Sequence, residues 1–133
     1  MSNVEIAVNE VTQMHRVLAR IAIANDEIDA QEKLIIVSNI GGAAHLSDGQ
    51  LRTLIDDVSA KPDVLDLISG VKQPIILRQL IAQLAAFSLL KKEWHKSEIH
   101  TLKEAVSGME ISSENRATLL MAFDALRTVS QEI

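Results

Sequence analysis

Acidic side chains gather in one short segment of the chain, between two stretches with helical periodicity. This segment, the first corner (residues 24–32), reads Ala-Asn-Asp-Glu-Ile-Asp-Ala-Gln-Glu. Ca²⁺ and Mg²⁺ take carboxylate and carbonyl oxygens as ligands in proteins. It is not an EF-hand loop, because the twelfth residue counted from Asp26 is a valine and not a bidentate glutamate. The corner is a candidate site for either ion, through the Asn25 amide oxygen and the carboxylates of Asp26, Glu27, Asp29 and Glu32.

The same carboxylates also have a purely structural interpretation. Asp29 and Glu32 have the spacing of a capping box, whose two side chains satisfy free N–H groups at the start of a helix. Acidic residues in the first turn of a helix are further stabilised by its dipole. Under this interpretation Asp26 and Glu27 are solvated, and the corner binds no metal.

A second polar segment, the second corner (residues 88–98), is locally basic. It contains Lys91, Lys92, His95 and Lys96, with Glu93 and Glu98 among them. His95 and His100 lie five residues apart, whereas a metal-binding pair on one helix face needs a spacing of three or four. We expect all four histidines of the chain to be exposed or to cap a helix. We expect Trp94 to pack beneath the corner and not to form a stacking platform.

The elements that position these corners are predicted to be helices. Apolar residues recur at steps of three and four throughout, and no segment alternates like a strand. The predicted fold is therefore all-α, with about seven helices. The first helix is predicted over about 3–24. The second begins with a capping box at 29–32 and runs through Ile40, where Gly41–Gly42 stops it, and the third begins with a capping box at 47–50 and runs to about Val58. The fourth has Pro62 in its first turn and Gly70 just past its end, the fifth runs from Pro74 to Leu90, the sixth from His95 to Gly108, and the seventh is capped by Ser112 or Ser113.

The composition excludes several classes of protein. The chain has 133 residues, no Cys, and 13 Lys and Arg against 18 Asp and Glu. Without Cys there is no disulfide, thiolate nucleophile or zinc site on sulfur. A net charge of −5 and only three aromatic residues argue against nucleic-acid binding, which needs basic groups and stacking rings. Because we find neither a signal-peptide pattern nor a membrane-spanning apolar run, we expect a cytoplasmic protein.

The chain also matches itself weakly at an offset of about 66 residues, which indicates an internal repeat. Residues 22–32 align with residues 88–98, so the two corners correspond to each other. Two repeated helical units imply a pseudo-two-fold arrangement with the corners in related positions. We predict a single domain over residues 1–133, with repeat one over about 3–59, a connecting helix over about 61–70 and repeat two over about 73–130.

The first corner resembles a motif of the tellurite-resistance TerB family and of the related DjlA-like domains. In that motif a helix ends in Ala-Asp-Gly, followed by a polar residue, an aliphatic residue, three more residues and a Glu on the next helix. Ala24, Ile28 and Glu32 match these positions, and Glu98 matches the Glu in the second corner. The family motif occurs twice in an all-α fold of about seven helices, and the resemblance covers essentially the whole chain.

The resemblance implies a divalent-metal site, because the Asp of Asp-Gly and the downstream Glu are the acidic positions that the family associates with metal. Carried over, the Glu positions are Glu32 and Glu98, whereas the Asp positions are Asn25 and Lys91. Since Lys91 stands where the family has an acid, one hypothesis is that its ammonium pairs with Glu98 and replaces the cation. The alternative is a surface lysine that makes only weak ion pairs. With the carboxylates of the first corner added to these positions, the candidate metal ligands for Ca²⁺ or Mg²⁺ are Asn25, Asp26, Asp29, Glu32 and Glu98.

The expected function is that of a binding module. The sequence has no Gly-rich phosphate loop and no Gly-x-Ser-x-Gly elbow, so we expect no enzymatic activity. TerB-like domains are implied to act in stress-response or membrane-associated assemblies. We therefore expect a protein-interaction or stress-response module that binds a protein partner or a second copy of itself. The alternative is a domain that binds or senses a divalent metal through residues 26–32. Tellurite resistance itself does not follow from the resemblance.

Overall fold

The computed structural model describes residues 2–133, and these residues form seven α-helices and no strand. This confirms the all-α prediction. The first predicted helix ends at Ala22, two residues early. The helices are α1 (Asn3–Ala22), α2 (Ala30–Ala43), α3 (Asp48–Ala60), α4 (Val64–Ile68), α5 (Pro74–Leu90), α6 (Lys96–Ser107) and α7 (Ser113–Glu132).

Side-chain caps define most of the helix starts. Ser47 and Gln50 form the predicted capping box of α3, and Ser112 caps α7. The prediction for α4 is wrong in one detail, because Asp63 is its N-cap and Pro62 therefore lies before the helix. Asp29 and His95 likewise cap α2 and α6, so a side-chain cap sets the position at which each corner joins the following helix.

The predicted stop of α2 at Gly41–Gly42 is also wrong, since the helix continues to Ala43. Neither glycine has a positive φ, and the left-handed residue after the helix is His45, with φ of 54°. A Cβ atom at Gly41 would lie 2.6 Å from Leu51 Cδ1 on α3. The glycine therefore allows α3 to pack closely against α2 and does not end the helix.

The buried apolar side chains form two groups, and α1 contributes to both. The larger group joins α1, α4, α5, α6 and α7, with Leu18, Leu84 and Phe123 among its members. The smaller group joins α1 to α2 and α3 through Ala19, Ile23, Val37, Leu54 and Val58. Helix α1 is thus the central helix on which α2 to α6 pack, whereas α7 packs on α5 and α6.

The packing of the helices matches the predicted repeat only in part. In the repeat, α1, α2 and α3 correspond to α5, α6 and α7. The α1–α3 and α2–α3 contacts have counterparts in α5–α7 and α6–α7. The α1–α2 and α1–α6 contacts have none, because within the described chain no Cα atom of α5 lies within 8 Å of one in α6 or α2. The repeat stays a prediction, and α2 and α5 lie apart on α1.

A carboxylate from α1 fixes the start of α5. Glu10 is buried, and its Oε1 atom accepts hydrogen bonds from the backbone N–H groups of Lys72 and Gln73, each at 2.7 Å. Burial alone would raise the pKa of Glu10. The hydrogen bonds from Gln73 and Lys72 outweigh burial and hold the pKa of Glu10 below its ordinary value.

None of the helices within residues 2–133 is both long and apolar enough to cross a membrane.

Candidate functional site

The two corners face each other across one open cleft of about 420 Å³. One polar contact between them joins Glu27 Oε1 to His95 Nε2, at 3.8 Å. The cleft is therefore where the structure brings the predicted chemistry-bearing segments together. Its lining residues are Asn25, Glu27, Ile28, Lys91, Glu93, Trp94, His95 and Glu98.

In the first corner the polar side chains serve mainly as local caps. Asp29 Oδ1 accepts a hydrogen bond from the Glu32 N–H at 2.8 Å and so caps α2. The predicted capping box is only half formed, because among the described residues the Glu32 side chain does not accept from the Asp29 N–H. Asn25 Oδ1 accepts from the Glu27 N–H at 2.9 Å. The Asp26 side chain is 91% exposed and lies 3.8 Å from Lys33 Nζ. The corner is thus held by backbone hydrogen bonds and solvated charges.

Of the five candidate metal ligands, the structure brings only Asn25 and Glu98 into the cleft. Asp26, Asp29 and Glu32 do not line it. In the part of the chain that the structure describes, no three His, Asp or Glu side chains are placed to hold a metal ion together. A hard divalent cation needs several oxygen ligands at once. The side chains as placed do not fit such an ion.

The predicted pair between Lys91 and Glu98 is present in the second corner. Glu98 is only 2% exposed, and its Oε1 atom accepts a hydrogen bond from the His95 N–H at 2.7 Å. Its Oε2 atom lies 2.8 Å from Lys91 Nζ. This second contact is an ion pair without hydrogen-bond angles, so among the described residues Oε2 accepts no hydrogen bond. The buried charge is therefore balanced mainly by the Lys91 ammonium.

Trp94 connects the second corner to the last helix. The indole packs against the larger core, as the prediction of a packed side chain requires. Lys91 Nζ lies 5.8 Å from the ring centroid, and Arg127 Cζ lies 5.5 Å from it, within the range of cation–π attraction. Arg127 is buried on α7 and pairs with Asp124. Lys91 thus contacts both Glu98 and an aromatic ring tied to α7.

The prediction for the histidines is wrong at one position. His95 caps α6, and His45 and His100 are exposed, as expected. His15 is buried instead, and its Nδ1 atom lies 2.8 Å from the Val11 carbonyl oxygen on the same helix. The spacing of histidines in sequence does not reveal this burial, because the burial depends on which face of α1 the neighbouring helices cover.

The second concave surface is an apolar groove between α2 and α5, hereafter the α2/α5 groove. It consists of two adjoining cavities of about 300 and about 410 Å³, which share Asn39, Ile40 and Phe87. Lys91 closes one end, so the groove and the cleft meet at this residue. The floor is His15, Leu18 and Ala22 of α1, and the walls are Ile36, Asn39, Ile40, Ala43, Ala44, Gln83, Phe87 and Leu90.

Comparison with known proteins found no match for this chain, whether to a protein-family model, to a curated protein or to a solved structure. The resemblance to TerB-like domains therefore stays a prediction that rests on the corner residues. The cleft and the α2/α5 groove are the two surfaces from which a function can be inferred.

The α2/α5 groove was not predicted from the motifs, but the sequence carries a signal for it. Residues 34–47 and 79–90 are the two longest stretches without Asp, Glu, Lys or Arg. The first covers most of α2 and the second most of α5, so both helices lack the charged outer face of a typical surface helix. The absence of charge, and not a motif, marks this surface.

Proposed function

We propose that the chain is a non-enzymatic, TerB-like protein-interaction module of the cytoplasm, and that the α2/α5 groove is its binding surface. The assignment to a TerB-like stress-response module rests on the resemblance of the two corners. The location rests on the expectation drawn from the sequence. The observation that carries the binding role is the apolar groove between α2 and α5, which is uncharged except for Lys91 at one end and whose two helices have no Cα atoms within 8 Å of each other.

The exposed side chains of the groove support this proposal. Leu90 is 77% exposed at the rim of α5, and Ile35 is 61% exposed on α2, one turn from the groove residue Asn39. A helix that is apolar on all sides is normally buried on all sides. Contiguous exposed apolar surface bordered by polar residues is typical of an interaction site. Burial of this surface by a partner would complete the packing of both helices.

The polar cleft supports the same proposal by contrast. Its buried carboxylate, Glu98, pairs with Lys91 and accepts a hydrogen bond from the His95 N–H, whereas Glu27 and Glu93 are exposed to solvent. Trp94 of the cleft also contacts Arg127 of α7. Groups that already satisfy one another gain little from a ligand, because a ligand would have to replace contacts of similar strength. Binding at the apolar surface has no such cost, since it removes apolar area from water.

Site-specific photo-crosslinking in cells that produce the protein tests the proposal. A photoreactive amino acid at Leu90 should form a discrete adduct with one partner, whereas the same probe at the exposed Lys103 on α6 should not. Adding Ile35→Glu to the Leu90 probe should abolish the adduct, because it places a charge on the opposite rim. Equal labelling at both probe positions, or no adduct at Leu90, would overturn the assignment of the groove.

A further inference from the structure

We infer that the partner covering the α2/α5 groove is a second copy of this chain, packed groove to groove about a two-fold axis that runs along the groove. This inference rests on the proposed function, because it names the partner of the same surface. In this arrangement α2 of one copy lies against α5 of the other, and the reverse contact forms on the opposite side of the axis. The apolar rims, including Ile35 and Leu90, are then buried in both copies.

The charge distribution favours a second copy as the partner. The chain carries a net charge of −5, so most pairs of its surfaces repel one another. The face formed by α2 and α5 avoids this repulsion, since residues 34–44 and 79–90 contain no charged side chain. A neutral face can approach its own copy without like-charge repulsion, and depletion of charge is characteristic of the centre of an interface.

The boundary of this face is also complementary to itself. Glu32 is exposed on α2, one turn before the groove residue Ile36, and Lys91 closes the same end of the groove on the α5 side. A two-fold axis along the groove exchanges the α2 side for the α5 side but keeps the ends together. Glu32 of each copy therefore faces Lys91 of the other, whose side chain stays 34% exposed while it pairs with Glu98, and the contact forms twice at the edge of the face.

The size of the face sets the expected affinity. Helices α2 and α5, each about 20 Å long and about 10 Å wide, give roughly 400 Å² per copy, or about 800 Å² in total, which is below the roughly 1,000 Å² of a stable interface and fits a weak, transient one. Two-fold dimers are the commonest form of homo-oligomer. An apolar contact of this size, with two charge pairs at its edge, is consistent with a dissociation constant in the micromolar range.

Sedimentation of the purified chain across the micromolar range tests the inference. We expect a reversible monomer–dimer equilibrium, with Leu90→Asp raising the dissociation constant at least about tenfold. Met121→Asp is the matched control, because Met121 is 73% exposed but lies on α7, outside the groove. Both substituted side chains are exposed, so neither change should unfold the chain. A wild-type chain that stays monomeric, or two variants that behave alike, would overturn the inference.

Disulfide formation tests the orientation of the axis, since the natural chain has no Cys. A mixture of Ile35→Cys and Leu90→Cys chains should form a mixed disulfide dimer under mild oxidation, and neither variant alone should form one at a comparable rate. Rapid disulfide formation by each variant alone would place α2 against α2 and contradict the proposed axis. The cell-based crosslinks at Leu90 separate the two hypotheses: an adduct with a different protein, together with a monomeric pure chain, keeps the interaction module and removes the second copy.

Discussion

Removal of the Lys91 ammonium should destabilise the protein far more than removal of its neighbour Lys92. Lys91 is the cation beside the Oε2 atom of Glu98, a carboxylate that is 2% exposed. Lys91→Ala would leave that charge buried without a counter-ion. Lys92 is exposed and adjacent in sequence, so Lys92→Ala changes the net charge equally but leaves Glu98 paired.

The geometry of the pair sets the size of the effect. Breaking a fully buried ion pair costs about 3–5 kcal/mol, whereas a fully exposed pair contributes about 0–1 kcal/mol. The Lys91 side chain is 34% exposed, so water screens part of the interaction and the cost falls between these limits. Loss of the cation–π contact with Trp94 adds about 0.5 kcal/mol. We expect Lys91→Ala to lower the free energy of unfolding by about 2 kcal/mol and the Tm by about 8 °C.

Urea unfolding of a double-mutant cycle isolates the ion pair from other effects of the substitution. Glu98→Gln removes the charge, but its amide oxygen can still accept the hydrogen bond from the His95 N–H. In the Glu98→Gln background, Lys91→Ala should cost less than about 1 kcal/mol, because only packing and the contact with Trp94 remain to be lost. Lys92→Ala should stay within about 0.5 kcal/mol of the wild type.

Two results would refute this account. If Lys91→Ala and Lys92→Ala have the same small effect, the ammonium does not stabilise the buried carboxylate. If Lys91→Ala costs the same free energy in both Glu98 backgrounds, the loss comes from packing of the lysine stem and not from the charge pair. Either result would also remove the argument that Lys91 takes the place of a bound cation.

Three further predictions concern other parts of the molecule. Glu10→Gln should cost about 1–2 kcal/mol at neutral pH, because it weakens the hydrogen bonds at the start of α5. Since the pKa of Glu10 is lowered on folding, its stabilisation is present at neutral pH and is lost as pH falls through the folded-state value, so urea unfolding should show the two proteins converge in acid. Gly108→Ala should destabilise the protein by about 1–3 kcal/mol, because the new Cβ would lie 2.5 Å from Cγ2 of the buried Ile68. Gly42→Ala meets no atom within 4 Å and should stabilise α2 by about 0.5–1 kcal/mol. A thermal unfolding experiment in which Gly108→Ala has the higher Tm of the two variants would contradict this prediction. Ca²⁺ and Mg²⁺ should neither release heat in calorimetric titration nor raise the Tm, and a saturable shift with either ion would restore the metal-sensing alternative.

Local features of the fold were predictable from the sequence because they depend on neighbouring residues alone. The caps at Ser47 and Ser112 follow from side-chain oxygens that reach N–H groups three residues on. The stop at Gly41 failed for a tertiary reason, since that glycine is needed where α3 approaches α2. The prediction that His15 is exposed failed for the same reason, because the burial of this side chain depends on the helices that pack on either side of α1.

The candidate sites also differ in whether they depend on neighbouring residues alone or on tertiary packing. The Lys91–Glu98 pair was predictable, because both residues belong to one corner and their roles follow from its alignment with the first corner. The α2/α5 groove was not, because it lies between two helices that are distant in sequence and have no Cα atoms within 8 Å of each other. No motif within α2 or α5 records that gap, although the uncharged residues 34–44 and 79–90 are consistent with it.

The residues best suited to chemistry in this chain mainly hold the fold together, and this shifts the inferred function to residues with no reactive groups. Asp29 is occupied as the cap of α2, and Glu98 by its hydrogen bond to the His95 N–H and its pair with Lys91. Binding a ligand at these groups would first require breaking contacts of comparable strength. Ile35 and Leu90 are exposed and have no such contacts to lose, so apolar surface that a partner covers there contributes directly to the free energy of binding. The binding energy available to this molecule therefore lies in the α2/α5 groove, even though the residues that first suggest a function lie in the corners.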